Sequence, residues 1–260
     1  MERISFLYST CEDRIYQLLD RVFAAHSKDF KGEVVIVHQT LTPEKFKEIP
    51  DLLSGINGVV YVLQSQLGVT KSRNLAISLA TSEYILFCDD DVDYVSIDVS
   101  KILEALKGAK ACTFRVASTE GGYTKNFSAY RKVHNKFSIL SVGTIEVVCD
   151  RRFVVNNHIQ FPEDLGAGAK YPSCDEPVFL SRIMKAGGRV DYVPLTICAH
   201  PPESSGKSLA SFEAVYSRAI AFRYIFGSFF YMPVLFVFLI KNLRRIGVGN
   251  FLSVILKVLF

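Results

Sequence analysis

Three consecutive carboxylates, Asp89, Asp90 and Asp91, with Asp93 just beyond them, close a short apolar run, Tyr84-Ile85-Leu86-Phe87-Cys88. Adjacent acids repel one another by roughly 1 kcal/mol or more per close pair in partly screened surroundings, so the pattern calls for a positive partner. A hard divalent cation held by oxygen ligands fits that need, with Asp89 and Asp91 as the pair. The plain alternative is a solvated acidic turn that caps the next helix. A calcium-binding EF-hand loop is excluded by counting: from Asp89, the glycine position is Tyr94 and the closing glutamate position is Ser100. The lysine motif that would accompany a phosphatase-type aspartyl nucleophile is missing downstream.

Three further clusters carry chemistry. Gly68-Val69-Thr70-Lys71-Ser72-Arg73-Asn74 opens a helix just before the acidic run. Glycine permits close backbone approach and a helix N-terminus attracts anions, although a surface cap would look the same. Asp175-Glu176 opens another helix, after a glycine-rich stretch, Leu165-Gly166-Ala167-Gly168, that could fold against a substrate. Acids there suit the helix dipole as an ordinary N-terminus, and they also suit a general base at the rim of a cleft. His200 follows an apolar strand and precedes Pro201-Pro202; it reads as structural or as a metal or phosphate contact.

The elements that must position these residues alternate. Ile4–Tyr8, Val34–Val37, Val59–Leu63 and Tyr84–Cys88 read as buried strands. Between them, Glu12–Ala25, Pro43–Leu53 (with Thr42 as cap) and the segment from Gly68 read as helices. Repeated strand-helix units predict an α/β fold, a mostly parallel Rossmann-like sheet flanked by helices, with ligands at the carboxyl ends of the strands. Further on, Ile97–Leu106 and Asp175–Lys185 read as helices, the second stopped by Gly187-Gly188. Ala111–Val116, Thr144–Cys149, Arg189–Val193 and Leu195–Ala199 read as strands. Residues 117–138 and 161–172 read as loops.

Length and composition bound the class. At 260 residues and 49% hydrophobic, the chain can bury a full core. A net charge of +4 without an aromatic-interleaved basic stripe argues against nucleic acid. Six scattered cysteines with no C-x-x-C pair read as reduced and cytosolic, and Met1-Glu2-Arg3 runs into a strand pattern with no signal peptide. The exception is the tail. Residues 224–240 form an uncharged run of 17 residues followed by Lys241, Arg244 and Arg245, then a second apolar run from Ile246. That is the lower limit for a span, and Gly227 and Pro233 weaken a straight one. A monotopic or peripheral attachment at an anionic lipid surface fits better, against the alternative of a helix packed on the catalytic domain. The domain reading is 1–222 catalytic, divided at 116 and 206, and 223–260 a membrane-associating tail.

Taken in order, G-x-[ST]-x-x-R-N, the strand ending D-D-D, the glycine-rich loop, the acidic pair followed by F-L-x-R and G-G, and a late histidine resemble glycosyltransferase family 2, over roughly Ile4 to His200. The pieces Gly143-Thr144-Ile145-Glu146, Arg151-Arg152 and His200 through Gly206 look similar to bacterial enzymes that assemble capsular or other surface polysaccharides. The resemblance implies the GT-A fold and inverting transfer from a nucleotide sugar, a UDP-sugar in the first place, to a glycan or lipid-linked acceptor. It implies Mg²⁺ or Mn²⁺ on Asp89 and Asp91, with His200 as a third metal or phosphate ligand and Asp90 on the ribose or the metal. Thr10, Gln39 and Arg73 would lie at the nucleotide; many members carry an aspartate near the position of Gln39. Counting back from Arg182 places Glu176 on the family's base, with Asp175 next to it. The implied location is the cytoplasmic face of the inner membrane.

Two other readings remain open at this point. A nucleotidyltransferase also uses acids at a strand end, but Tyr8-Ser9-Thr10-Cys11-Glu12-Asp13 lacks its glycine-rich basic loop. A catalytically silent, membrane-bound sugar-nucleotide binder would share the same residues.

Overall fold

A computed structural model describes residues 4–26, 32–92, 94, 98–201, 209 and 211–259. Asp93, and residues 202–206 of the His200 motif, lie outside the described residues.

The alternation of strands and helices forms as expected. β1 (Ile4–Cys11), α1 (Arg14–His26), β2 (Glu33–Gln39), α2 (Ile49–Leu53), β3 (Val59–Gln64), α3 (Val69–Leu79) and β4 (Tyr84–Asp89) follow in turn. α4 (Val99–Leu106) and β5 (Ala111–Ser118) come next, and Asp98 caps α4 by accepting from the Lys101 amide. The strands bury both faces, so each reads as a continuous apolar run. Side chains still alternate. Phe6, Ile36 and Leu86 enter one core, under α1 and α4. Leu7, Val35, Val37 and Phe87 enter the other, under α3.

The second half departs from the sequence reading in several places. Thr144–Glu146 is a 3-10 turn, and only β7 (Val147–Asp150), after the two-residue edge strand β6 (Lys132–Val133), is extended. The Gly143 amide donates to Glu146 Oε1 at 2.8 Å and the Glu146 amide to the Gly143 carbonyl at 3.2 Å, which winds the chain before it can pair. α5 (Arg151–Asn156) is a helix the sequence reading missed; Asp150 caps it through the Phe153 amide. α6 (Asp175–Lys185) lies where expected. The two short strands after it are one, β8 (Val190–His200). Pro194 sits inside it, where the β5 pairing shifts register and beyond the end of the β6 pairing, so its missing N–H breaks no ladder. Likewise Pro43–Leu53 is not one helix: a 3-10 turn covers Pro43–Phe46, Thr42 makes no side-chain cap, and Pro50 starts α2 afresh.

The strand order is β3-β2-β1-β4-β7-β5-β8-β6. β1 to β4 are mutually parallel where they pair, as are β5 and β8, while β7 and β6 run antiparallel to their neighbours.

The tail forms α7 (Phe212–Lys241), α8 (Leu243–Ile246) and α9 (Val248–Leu259). α7 breaks at Gly227, whose φ of 82° and ψ of 171° only glycine adopts readily. Its two halves fold together: Phe222 and Phe238 meet edge to face at 5.5 Å, and Val215, Leu235, Leu239 and Val254 share one buried cluster. Phe212–Lys241 is long and apolar enough to cross a membrane by length and composition.

Candidate active site

The strand order reverses between β1 and β4, and such a reversal leaves a crevice beyond the carboxyl ends of the strands. Ser9 pairs with Asp89 there. Thr10, Gln39, Arg73, Asp89, Asp90, Asp91, Asp175, Glu176 and His200 all line one cavity of about 990 Å³. Residues up to 190 apart in sequence thus meet in one place, as the resemblance implies.

Arg73 joins the two halves of the site. Its Nη1 donates to Asp175 Oδ2 at 2.6 Å and its Nη2 to Asp89 Oδ1 at 3.3 Å, while the side chain is 6% exposed. Burial opposes its charge, but Asp175 and Asp89 outweigh burial and hold the guanidinium protonated. Below, Phe87 at the end of β4 packs edge to face on Phe161 (5.0 Å) and Phe179 (5.4 Å), and those two rings stack at 4.2 Å. This aromatic trio fixes α6 against β4, and so Asp175 against Asp89.

The glycine-rich loop packs on the start of α3 as well as on the cavity. The Val69 amide donates to the Ala167 carbonyl at 2.9 Å and Thr70 Oγ1 to the Leu165 carbonyl at 3.1 Å. Gly166 holds a φ of +101°, and a Cβ there would meet Val69 Cγ1 at 2.9 Å, Thr70 Cγ2 at 3.0 Å and Asp175 Oδ1 at 3.1 Å. Gly166→Ala is therefore expected to cost about 1–3 kcal/mol and to weaken activity beyond its effect on folding, because the methyl displaces Asp175. A melting curve and a transfer assay on the folded fraction check both.

The three adjacent acids differ in their surroundings. Asp90, 3% exposed, accepts from Thr10 Oγ1 at 2.7 Å and from Arg14. Arg14 also reaches Asp91 Oδ2 at 3.2 Å. Burial raises the Asp90 carboxyl, opposed by Thr10 and Arg14; burial also raises Asp89, opposed by Arg73. Asp91 Oδ1 is buried with no hydrogen-bond partner, 3.6 Å from His200 Nε2. Among the described residues no three His, Cys, Asp or Glu side chains close around a metal. An orphaned carboxylate oxygen beside Asp89 and an imidazole nitrogen is nevertheless a donor set that suits a divalent cation whose remaining ligands come from a substrate.

The acids of α6 are divided too. Asp175 is tied to Arg73, whereas Glu176 accepts a short hydrogen bond from Thr144 Oγ1 on the 3-10 turn. Burial first, then Asp175, pushes the Glu176 carboxyl up to about 7, against the pull of Arg73 and Thr144. That turn is braced by Glu146, which takes Lys125 Nζ at 2.6 Å.

Sequence reasoning missed Arg14, Thr144 and the Lys125–Glu146 pair. Thr144 and Glu146 were visible as a motif, and neither had a role. Gln39 lines the cavity, but its Nε2 is spent on Gln64 Oε1 and on the carbonyls of Gln66 and Gly68, at 2.7–3.0 Å.

A crevice of carboxylates at strand ends, crossed by a buried arginine and faced by a second acidic pair, is the architecture of a glycosyltransferase. The family model for glycosyl transferase family 2 matches residues 7–153, and the chain belongs to that family. Among solved structures it is similar to S. aureus TarS 1-349, with a TM-score of 0.62 at 14% identity over 93% of this chain and 72% of that one. It is similar also to S. aureus TarS 1-349 in complex with UDP-GlcNAc (TM-score 0.62, 15% identity, 93% and 73% covered). A longer S. aureus TarS structure gives a TM-score of 0.61 at 15% identity, over 95% of this chain and 44% of that one. At this identity the likeness is one of fold. No curated protein matches the sequence significantly. Family membership sets aside the nucleotidyltransferase reading.

Proposed function

We propose that the protein transfers a sugar from a nucleotide sugar to an acceptor hydroxyl with inversion, in the assembly of a surface glycan. The observation that carries this is the division of labour on α6: Asp175 is consumed by Arg73, which leaves Glu176 as a cavity-facing carboxylate with its pKa near working pH, where a general base is most effective. Glu176 takes the proton of the acceptor hydroxyl as that oxygen attacks the anomeric carbon. Attack from the face opposite the leaving diphosphate inverts the centre. Thr10 and Arg14 hold Asp90, and Arg73 holds Asp89, so that the donor end is rigid before substrate arrives.

Asp89 and Asp91, with His200 beside Asp91, would hold Mg²⁺ or Mn²⁺. Bound there, the cation would neutralise charge on the leaving diphosphate. Asp91→Ala is expected to lower transfer at least about 100-fold with little change in melting temperature, since its Oδ1 has no hydrogen-bond partner and its Oδ2 loses only a solvent-exposed contact with Arg14, of a kind worth about 0–1 kcal/mol. The experiment is a thermal-shift panel of UDP-, GDP-, CDP- and dTDP-sugars with and without Mn²⁺, followed by a transfer assay. One donor should raise the melting temperature of the wild type in a metal-dependent way and lose that effect in Asp91→Ala. A chain that binds a donor but neither hydrolyses nor transfers it would be a silent binder instead.

The tail is the membrane contact, at the cytoplasmic face. Beyond the break, Phe229 is 90% exposed and Phe230 71%, and Lys241 and Arg244 follow further along the same group of helices. Two phenylalanines buried in an interface contribute about 1.5–3 kcal/mol each. Phe229→Ser/Phe230→Ser is thus expected to reduce partitioning onto vesicles with anionic lipid on the order of 100-fold or more; equal sedimentation of the variant and the wild type with vesicles would sink this reading.

A further inference from the structure

The stretch Gly143-Thr144-Ile145-Glu146 carries two different things: Thr144, which holds the base, and a second acid that takes no part in the transfer step. Glu146 is 6% exposed, and burial raises its carboxyl, opposed by Lys125; Glu176 acts on it as a like charge. Lys125 Nζ donates to Glu146 Oε1 at 2.6 Å and makes a short hydrogen bond to the Ser141 carbonyl. Its ammonium therefore clasps both ends of residues 141–146, a segment that lines the cavity throughout. Inside the clasp the Gly143 amide donates to the same Oε1, so Glu146 is fixed from two sides. Lys125 is itself fixed on the sheet. Beyond β5 the chain turns back on itself: Ala117 bridges to Tyr123, the Ser118 amide donates to the Gly122 carbonyl at 3.1 Å, and the Thr124 amide donates to the Val116 carbonyl at 3.1 Å. The Phe127 ring lies 5.0 Å from the ammonium and stacks on Tyr192 of β8 at 6.3 Å. Contacts thus run from β5 and β8 through Lys125 to the turn, and from Thr144 of that turn to Glu176.

We propose that Lys125 is a positioning residue for the transfer: its ammonium fixes the 141–146 turn, and the turn, through Thr144, sets where Glu176 stands when it takes the acceptor proton. Lys125 does this through the turn, because its ammonium is committed to Glu146 and to the Ser141 carbonyl. Without it, Glu146 is a buried carboxylate that has lost its cation and still faces the charge of Glu176. The turn then shifts to solvate or separate the two acids, and Thr144 shifts with it. A displacement of about 1 Å at a group aligned with the reacting atoms costs up to about 100-fold in rate, while the donor, held by Asp89, Asp90 and Asp91 on the other side of the cavity, is bound as before. The inference rests on the transferase reading, in which Glu176 is the base.

The test uses the full chain, with water as the acceptor. Water oxygen attacks the anomeric carbon, its proton goes to Glu176, and the bond to the diphosphate breaks, so release of nucleoside diphosphate from UDP-, GDP-, CDP- and dTDP-sugars with Mn²⁺ reads the step. Lys125→Met should lower kcat about tenfold or more and leave KM for the donor within about twofold. Lys125→Arg, which keeps the charge and the donors, should restore most of the rate. Thr144→Val should cost a similar factor, and Lys125→Met added to it should cost less than about threefold more, because both act on Glu176 through one contact. Lys125→Met/Glu146→Gln removes the stranded charge, so it folds even where the single variant does not, and it should keep the loss in kcat because the Ser141 tether is still missing. Unchanged kcat in Lys125→Met, or full multiplication of its effect with that of Thr144→Val, would overturn the proposal. So would recovery of kcat in Lys125→Met/Glu146→Gln, which would leave the lysine only the task of neutralising Glu146. A rise in KM that matches the fall in kcat would place Lys125 in donor binding and do the same. A wild type that hydrolyses none of the donors would instead bring down the transferase reading, and this assignment with it.

Discussion

Glu176→Gln is expected to lower sugar transfer by about 10²–10⁴-fold, the usual worth of a general base, and at the same time to make the folded protein more stable. Both effects have one source. The carboxyl is pushed up to about 7 by burial and by Asp175, from an ordinary value of 4.5. For a carboxyl whose folded-state pKa lies above its unfolded value, the folded state holds the proton more tightly. Its penalty is absent below pH 4.5, grows as the unfolded chain ionises, and is complete above about 7. Glutamine keeps an oxygen for the Thr144 hydroxyl and carries no charge, so at pH 8 the variant escapes a penalty on the order of 1–3 kcal/mol. The gain in melting temperature should be present at pH 8 and absent at pH 4. Activity of the wild type should rise with pH up to about 7 and then level, because Glu176 acts only when deprotonated. A glutamine variant that keeps full turnover would move the base to Asp175. A variant that is inactive but no more stable at pH 8 would mean that the carboxylate is well solvated.

Much of this site was legible in the sequence because its signals are local. An apolar β run ending in carboxylates marks both a strand and its functional end. Glycine before Thr70 and paired acids before an apolar helix mark the starts of α3 and α6. The sorting of similar residues was not legible, because it depends on partners far away in sequence. Asp175 and Glu176 are both reasonable bases until Arg73, 102 positions away, occupies one of them. Asp90 and Asp91 are equivalent in a run of three until Thr10 and Arg14 claim the first and leave an oxygen of the second unpartnered. In sequence terms Arg14 is one more polar position on an amphipathic helix. The 144–149 segment read as one strand because its residues are β-formers, and a single side-chain contact, Gly143 with Glu146, overrides that preference. In the tail, Gly227 was visible as a weak point, but the folding together of the two halves depends on Phe222 meeting Phe238.

Arg73→Met is expected to have the largest effect on folding of any single change in the site. Arg73 is buried between Asp89 on β4 and Asp175 on α6, and Asp175 is itself 3% exposed. Methionine fills much of the space but leaves Asp175 without its cation. Removing one partner of a buried pair costs about 3–5 kcal/mol, mostly because the remaining charge is stranded. In a chain of this size that lowers the melting temperature by roughly 6–20 °C. Adding Asp175→Asn to Arg73→Met removes the stranded charge, and the double variant should recover part of the loss, giving a coupling of about 1 kcal/mol or more in a double-mutant cycle. Transfer should not recover with it. The pair does more than stabilise: it sets Asp89 on the donor side and Glu176, next to Asp175, on the acceptor side at a fixed separation, and an asparagine facing a methionine restores neither position. Recovery of melting temperature together with activity would show that the ion pairs only stabilise the fold. A single variant melting within about 2 °C of wild type would show that the aromatic trio of Phe87, Phe161 and Phe179 holds the two halves of the site without them.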